Sequence, residues 1–462
     1  GFHLYRCISS HNRAYFSWFR HLKGDQGKTN MSKIAFIGAG SLGFGRRLVR
    51  DIISFPELAD SSIHLVDPNQ ERVSITYDFV TQLIKHNNLP TKVFQATTRE
   101  SALDGADYVI ASIRVGNDLE PEKLDVQIPY ETAGLRQTVS DTVGIGGIMK
   151  GLRTIPVMLD IARDMEMRCP DAVMLNYTNP MAMIMWAIHQ ETSISAVGLC
   201  HSVQGTSKQL SNYMEIDYEQ MRYLTAGINH MAWFLDLSMK GEDLYPRLRD
   251  CLHDPKIFEK DPVRFEIFKH FNYFVTESSR HMAEYIPYVM PHVEEMERLQ
   301  QPIRTGETFA KQNETRQIRI KQAIEESESA NLELQKSNEY AATIIYAIET
   351  DTPTYIYGNV RNTALITNLL DRCCVEVPCL VNRVGVQGCY VGNLPPQCAS
   401  LCQSNVSMQG LAVQAILEQK REYVYHSAMV DPNTASQLTL PQIRTVIDQL
   451  LESQKELMPP LG

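Results

Sequence analysis

From Met31 onward, short unbroken apolar runs alternate with longer stretches whose apolar residues recur at helical spacing. "KIAFIGAG" (33–40) is an apolar run closed by glycine, and residues 44–54 continue with helical periodicity. "SIHLVD" (62–67), a helical stretch over 70–87, "TKVFQAT" (91–97) and "DYVIASIRVG" (107–116) repeat the theme. A long helix is predicted from Gly147 to Met167, then strands in "DAVMLNYTNP" (171–180) and "SAVGLCHS" (195–202) with a helix between them. Continuous apolar strands separated by helices predict a parallel sheet covered on both faces. Such sheets bind ligands at the carboxyl ends of their strands.

Beyond residue 200 the alternation fades. "GINHMAWFLDLSMKG" (227–241) reads as strand, residues 291–340 as charged helix, and 372–400 as short strands and turns. The expected architecture is α/β: a Rossmann-type doubly wound sheet of the lactate/malate dehydrogenase kind over 31–200. A C-terminal α+β domain over 201–462 carries metal and substrate residues. Residues 1–30 are basic and aromatic without an apolar core segment, and are expected to be an extension outside the native fold.

Composition narrows the function. A hydrophobic content of 44% fits a globular chain, and a net charge of −10 with no basic run argues against nucleic acid as partner. No stretch reaches the length of a membrane span, so no membrane partner is expected. Ten cysteines without a framework spacing point to a reducing, cytoplasmic setting.

Gly38, Gly40 and Gly43 stand in G-x-G-x-x-G spacing between a strand and a helix, the context in which that pattern binds a dinucleotide pyrophosphate. Asp67 closes the second strand, where a carboxylate accepts ribose hydroxyls and selects NAD over NADP. Arg114 ends the fourth strand and reads either as a substrate clamp or as one half of an ion pair. Asp141 reads either as a helix cap or as an active-site carboxylate, and Asn179 as a turn residue or a hydroxyl ligand. Cys200 and His230 lie at apparent strand ends. Each alone is a common core residue; together they are candidate metal ligands with positions left open for substrate.

"FIGAGS", "IRVG", "LNYTNPMA", "GLCHSVQG", "AGINHMAW" and "YFVTESSRHMAEY", in this order, resemble glycoside hydrolase family 4, the NAD- and manganese-dependent glycosidases. "CHSVQG", "TESS" and "IYGNVRN" look most like its branch acting on α-galactosides. The resemblance implies NAD and manganese as cofactors, an α-galactoside as small-molecule substrate, and a homodimer or homotetramer. It implies manganese on Cys200 and His230, His201 as the acid that protonates the leaving group, and Asn179 and Arg114 against the sugar. Ser278 stands where relatives carry a tyrosine or aspartate base. The base is therefore sought among Glu277, His281 and Tyr285, with Tyr285 preferred and a metal-bound hydroxide relayed by Ser278 as the alternative. The rival expectations are an NAD-dependent 2-hydroxy-acid dehydrogenase, which shares the glycine loop but needs no metal, and another glycosidase of the same family, an α-glucosidase, α-glucuronidase or galacturonidase.

Overall fold

The computed structural model describes residues 31–116, 119–325 and 331–462. The expectation for residues 1–30 lies outside the described residues.

Six strands build the parallel half: β1 (Lys33–Ile37), β2 (Ser62–Val66), β3 (Lys92–Gln95), β4 (Tyr108–Ala111), β5 (Val173–Asn176) and β6 (Ser195–Gly198). Their order is β3-β2-β1-β4-β5-β6, every pair parallel. The chain reverses its direction of winding between β1 and β4, which opens a crevice above their carboxyl ends. Helices α1 (Phe44–Ile53), α2 (Gln70–His86), α3 (Arg99–Leu103), α4 (Glu120–Ala133), α5 (Gly144–Arg168), α6 (Met181–Glu191) and α7 (Ser202–Tyr213) connect or follow these strands.

The sheet does not stop at residue 200. β6 pairs with β10 (Thr354–Arg361), and the ladder goes on through β11 (Cys374–Asn382) to β7 (Met221–Ile228), β8 (Met231–Met239) and β9 (Glu242–Asp243), with β12 (Gly385–Gly388) on β11. These added pairings are antiparallel. Two of them rest on one register pair each, Asn359 with Gly198 and Glu376 with Gly227. Helices α8 (Pro262–Phe271), α9 (Ser279–Tyr285), α10 (Gly306–Glu325), α11 (Tyr340–Thr350), α12 (Pro396–Leu417), α13 (Arg421–Val430) and α14 (Leu440–Ser453) pack around this half.

One apolar core runs from β1 through α5 and α6 to α12 and α14. A buried bidentate ion pair crosses it: Arg153 on α5 donates to both oxygens of Asp125 on α4 at 3.1 and 2.7 Å. Gln454, just past α14, bonds both partners. It ties the last helix to the first half of the chain.

Three elements differ from the sequence expectation. β4 ends at Ala111: Ser112 N still donates to Ile37 O of β1 at 2.9 Å, but Ile113 N donates to the Thr178 hydroxyl instead of a neighbouring strand. Arg114 therefore sits in a loop, its side chain 43% exposed. α5 begins three residues early, at Gly144, whose amide donates to Asp431 at 3.1 Å. The strand expected over 227–241 is a hairpin, β7 and β8 joined at Asn229–His230, with His230 at φ 65. A left-handed residue cannot continue a strand, so the apolar run folds back on itself.

Candidate active site

The glycine loop behaves as a cofactor cradle. Gly38 has φ +91, and a Cβ there would lie 2.0 Å from the Ser112 carbonyl oxygen, so only glycine lets β1 turn beneath β4. A Cβ on Gly40 would come within 2.8 Å of the Asp67 carboxylate. Asp67 accepts from Gly40 N at 3.1 Å and Asn69 N at 2.8 Å, which fixes it at the end of β2. Gly43 precedes α1, and no side chain caps the helix. The third glycine of such a motif is expected to let the helix approach the strand. Here a Cβ on Gly43 would meet open space, and the close approach belongs to Gly45, whose Cβ would lie 3.2 Å from the Phe36 ring. These residues fit a dinucleotide: a cradle that side chains would fill, an uncapped helix start and a fixed carboxylate.

The second group gathers on the other side of the crevice. His230 in the β7–β8 turn, Glu277 before α9 and His281 on its first turn bring one donor atom each to within 4.8 Å of one another. Ser278 is the N-cap of α9, accepting from His281 N, and its hydroxyl also meets His281 Nδ1 at 2.9 Å. Glu277, at φ 75, lies outside the helix, so the turn into the Ser278 cap and not helical spacing brings it beside His281. Glu277 Oε2 lies 2.9 Å from His281 Nδ1, and Asp141 Oδ1 lies 3.8 Å from Nε2. Lys150 stands 3.9 Å from the other Asp141 oxygen.

These contacts set the charges. Burial works against the charged form of His281, yet hydrogen bonds to Asp141 and Glu277 prevail and raise it to about 10. Burial, then the His281 charge, lowers buried His230 to about 4, and its Nδ1 has no hydrogen-bond partner. Burial also opposes ionisation of Asp141 and Glu277, but Lys150 and His281 for the first, and His281 for the second, hold both well below the usual carboxylate range. A neutral buried imidazole with an orphaned nitrogen, beside a carboxylate, suits a divalent cation of manganese type; His281, protonated at neutral pH, joins them only on giving up a proton.

The expected residues are distributed as follows. His230 lies within this cluster. Cys200, two residues past β6, is outside its 4.8 Å limit but feels its charge; burial, then Glu376 and further down Glu277, push the thiol up to about 12. His201 precedes α7 with its side chain 69% exposed, its Nδ1 3.9 Å from Glu339. Asp141 does not cap α5, which is preceded by Val143; it faces the His281 ring instead. Arg114 lies 3.5 Å from Glu122, and Asn179 is half-buried in the turn after β5. Tyr285 is sealed in at 1% exposure, its hydroxyl donating to Thr142 at 3.1 Å, and burial raises it well above its ordinary value. Glu277 and His281, which the sequence offers as candidate bases, join His230 in a group that could hold a cation. Their place at a capped helix start was the available signal. Glu376, fully buried on β11 and pushed up by burial to about 8, left no signal in its apolar strand.

The whole arrangement has close parallels. The family 4 glycosyl hydrolase model matches residues 33–216 and the family 4 C-terminal domain model residues 225–434. An alpha-galactosidase of Bacillus subtilis is 40% identical over 433 residues, spanning 93% of this chain and 99% of that one. An alpha-galactosidase of Rhizobium meliloti is 33% identical, over 92% of this chain and 89% of that one. Among solved structures, the 6-phospho-beta glucosidase of Thermotoga maritima with manganese, NAD+ and glucose-6-phosphate superposes with a TM-score of 0.74. It is 23% identical and covers 93% of this chain and all of that one, so the fold is shared. A glycine cradle on one side of the crevice, an imidazole–carboxylate cluster on the other, and matches along nearly the whole chain lead to one conclusion: this protein belongs to family 4 of the glycosyl hydrolases.

Proposed function

We propose that this glycoside hydrolase cleaves α-galactosides by oxidation at C3, elimination across C1–C2, water addition and re-reduction. The observation that carries the reading is the pairing of a dinucleotide cradle with a divalent-cation donor set in one crevice. The two α-galactosidase relatives supply the sugar. The family is a known exception to two-carboxylate glycoside hydrolysis.

When bound, NAD supplies the acceptor for the C3 hydride and later returns it, and manganese supplies positive charge that eases loss of the C2 proton. Gly38, Gly40, Gly43 and Asp67 hold the dinucleotide. His230, Glu277 and His281 hold the cation, with Cys200 at their edge. Asp141, Asn179 and Arg114 meet the sugar hydroxyls, Asp141 being fixed by Lys150. His201, at the open mouth, gives its proton to the departing glycosidic oxygen as the C1–O bond breaks. Water then adds at C1 and a proton returns to C2. The acceptor of the C2 proton is sought in the same stretch: Tyr285, whose hydroxyl would exchange its bond to Thr142, with Ser278, hydrogen-bonded to His281, as relay. The organisation we favour has residues 31–200 as the dinucleotide-binding domain, from which Arg114, Asp141, Asn179 and Cys200 reach the site, and 201–462 as the domain supplying the other metal and substrate residues.

The reading includes a homodimer or homotetramer in a reducing cytoplasm. The nine cysteines among the described residues are all free, which supports the reducing setting. No helix among the described residues is long and apolar enough to cross a membrane.

The test is hydrolysis of a nitrophenyl α-galactoside with NAD, manganese and thiol omitted one at a time, and then in heavy water. The expected result is dependence on each addition and deuterium at C2 of the released galactose. Protium retained at C2 rules out elimination. Stoichiometric accumulation of NADH with a 2-hydroxy acid restores the dehydrogenase reading.

A further inference from the structure

The loop that delivers Asp141 to the site, residues 137–142, is fastened to one short helix, α9. Thr138 Oγ1 donates to Arg280 O at 2.7 Å. The His281 ring faces Asp141, and the Tyr285 hydroxyl donates to Thr142. Between these contacts Glu284 receives the loop's backbone. The amides of Thr138, Val139 and Ser140 donate to its Oε1 at 2.5, 2.9 and 3.1 Å, and the Ser140 amide also reaches Oε2 at 3.0 Å. Arg280, His281, Glu284 and Tyr285 fall on two adjacent rows of the helix, so one face of α9 holds the whole loop.

Three successive amides turned on one carboxylate make a nest for an anion. Ser140 adopts φ 62, a left-handed conformation that a serine keeps only where its surroundings hold it. The loop's carbonyls go elsewhere: Arg304 donates from its amide to Gln137 O and from its guanidinium to Val139 O. The amide side rests on Glu284, which is buried. Burial works against the charge of its carboxyl, and the three amides work for it.

The cations that flank Asp141, His281 and Lys150, stand 3.8 and 3.9 Å from its oxygens, which leaves its position to the backbone that carries it. The helix is anchored independently of the loop, by its Ser278 cap and by Asn405, which donates to Tyr285 O at 3.0 Å. Loss of the Glu284 grip therefore frees the loop and leaves the helix in place. We propose that Glu284 is a positioning residue: its hold on the amides of Thr138–Ser140 sets where Asp141 meets the sugar, and so sets substrate affinity without acting on metal or cofactor. This rests on the reading of Asp141 as a sugar contact.

The experiment is steady-state hydrolysis of a nitrophenyl α-galactoside by the holoenzyme, with manganese and NAD affinities measured separately and hydrogen–deuterium exchange followed over residues 134–143. Glu284→Gln keeps the shape of the side chain but turns an amino group towards amides that themselves donate. We expect faster exchange in the loop and a KM raised about tenfold, the loss of one hydrogen bond to a charged group, with kcat lowered less and both cofactor affinities kept. Glu284→Asp draws the carboxylate back by about 1.5 Å and should fall between, which serves if Glu284→Gln folds poorly. In an Asp141→Asn background, Glu284→Gln should raise KM no further, because both act through one contact. Additive effects overturn the proposal. So do wild-type exchange and KM in Glu284→Gln, or a loss of manganese affinity as large as the loss of substrate affinity. A wild-type KM in Asp141→Asn overturns it differently, by removing the sugar contact, and faster exchange in Glu284→Gln then still marks the grip on the loop as real.

Discussion

Replacing Gly40 by alanine should damage cofactor binding through Asp67, without touching the cofactor. The added Cβ would lie 2.8 Å from the Asp67 Cγ and Oδ2 and 3.1 Å from Oδ1. Comfortable carbon contacts begin at about 3.5 Å, so the carboxylate must retreat by roughly 0.5–1 Å. That retreat breaks the 3.1 Å bond from Gly40 N and removes the carboxylate from the place where it meets a ribose. A hydrogen bond to a charged group contributes about 1.5–3 kcal/mol. Asp67 is partly exposed, so a loss of about 1–2 kcal/mol is expected, roughly 5- to 30-fold in the dissociation constant for NAD. Asp67→Ala loses this bond, the one from Asn69 and the ribose acceptor, and should cost more, while also narrowing the preference for NAD over NADP. Both changes act on one interaction, so the double variant should fall short of additivity by about 1 kcal/mol. Fluorescence titration with NADH and NADPH on the four proteins measures this. Wild-type affinity in Gly40→Ala, or strict additivity in the double variant, would refute the coupling of loop and carboxylate.

Other expectations concern the metal cluster and the core. His230→Ala and Glu277→Gln should each lower manganese affinity at least tenfold with NAD affinity kept, by metal analysis and cofactor titration; full metal occupancy in both removes the cluster as the site. Cys200→Ser should weaken the metal less than His230→Ala, because the thiol stands outside the three-donor group, and an equal loss would return the thiol to the centre of it. In metal-free protein, His281 is raised to about 10 from an unfolded value near 6.5, so its contribution is fully present below pH 6.5 and is lost as pH rises to 10. The stability gap between wild type and His281→Asn should shrink by a few kcal/mol across that window, read from melting temperatures at each pH. His230 runs the other way: lowered to about 4, it costs the native state progressively as pH falls from 6.5 to 4, and His230→Ala should flatten that limb. Asp125→Ala should cost about 3–5 kcal/mol by stranding the buried Arg153, and Asp125→Leu with Arg153→Met should regain most of it; a single variant that melts like wild type would show the pair to be dispensable.

Much of the parallel half could be read from the sequence because its signals are local. An apolar run of four or five residues, a glycine turn and a helical stretch recur with a fixed logic. Each strand from β1 to β6 falls within a run that hydrophobic patterning singles out. The glycine loop and Asp67 were legible for the same reason, as they lie at the ends of adjacent strands. The sequence singled out His230, which lies in the three-donor group, together with Cys200, which is not one of the three. Where the chain folds back at Asn229–His230, patterning failed. Both arms are apolar, and no Gly or Asn-Gly marks the turn.

Charge state and partnership were set by the tertiary structure alone. Whether Asp141 caps a helix or faces an imidazole depends on α9, which reaches it from far along the chain. Whether Tyr285 can exchange a proton depends on its burial against Thr142, and whether His281 carries a charge depends on two carboxylates from different segments. Glu284 stands in the sequence as one more acid beside Tyr285. It anchors residues 138–140 only once α9 packs against their loop. Hydrophobic period is a property of neighbours in sequence, so the chain states it directly. Burial and electrostatic environment are properties of neighbours in space, and these exist only once the sheet has closed around them.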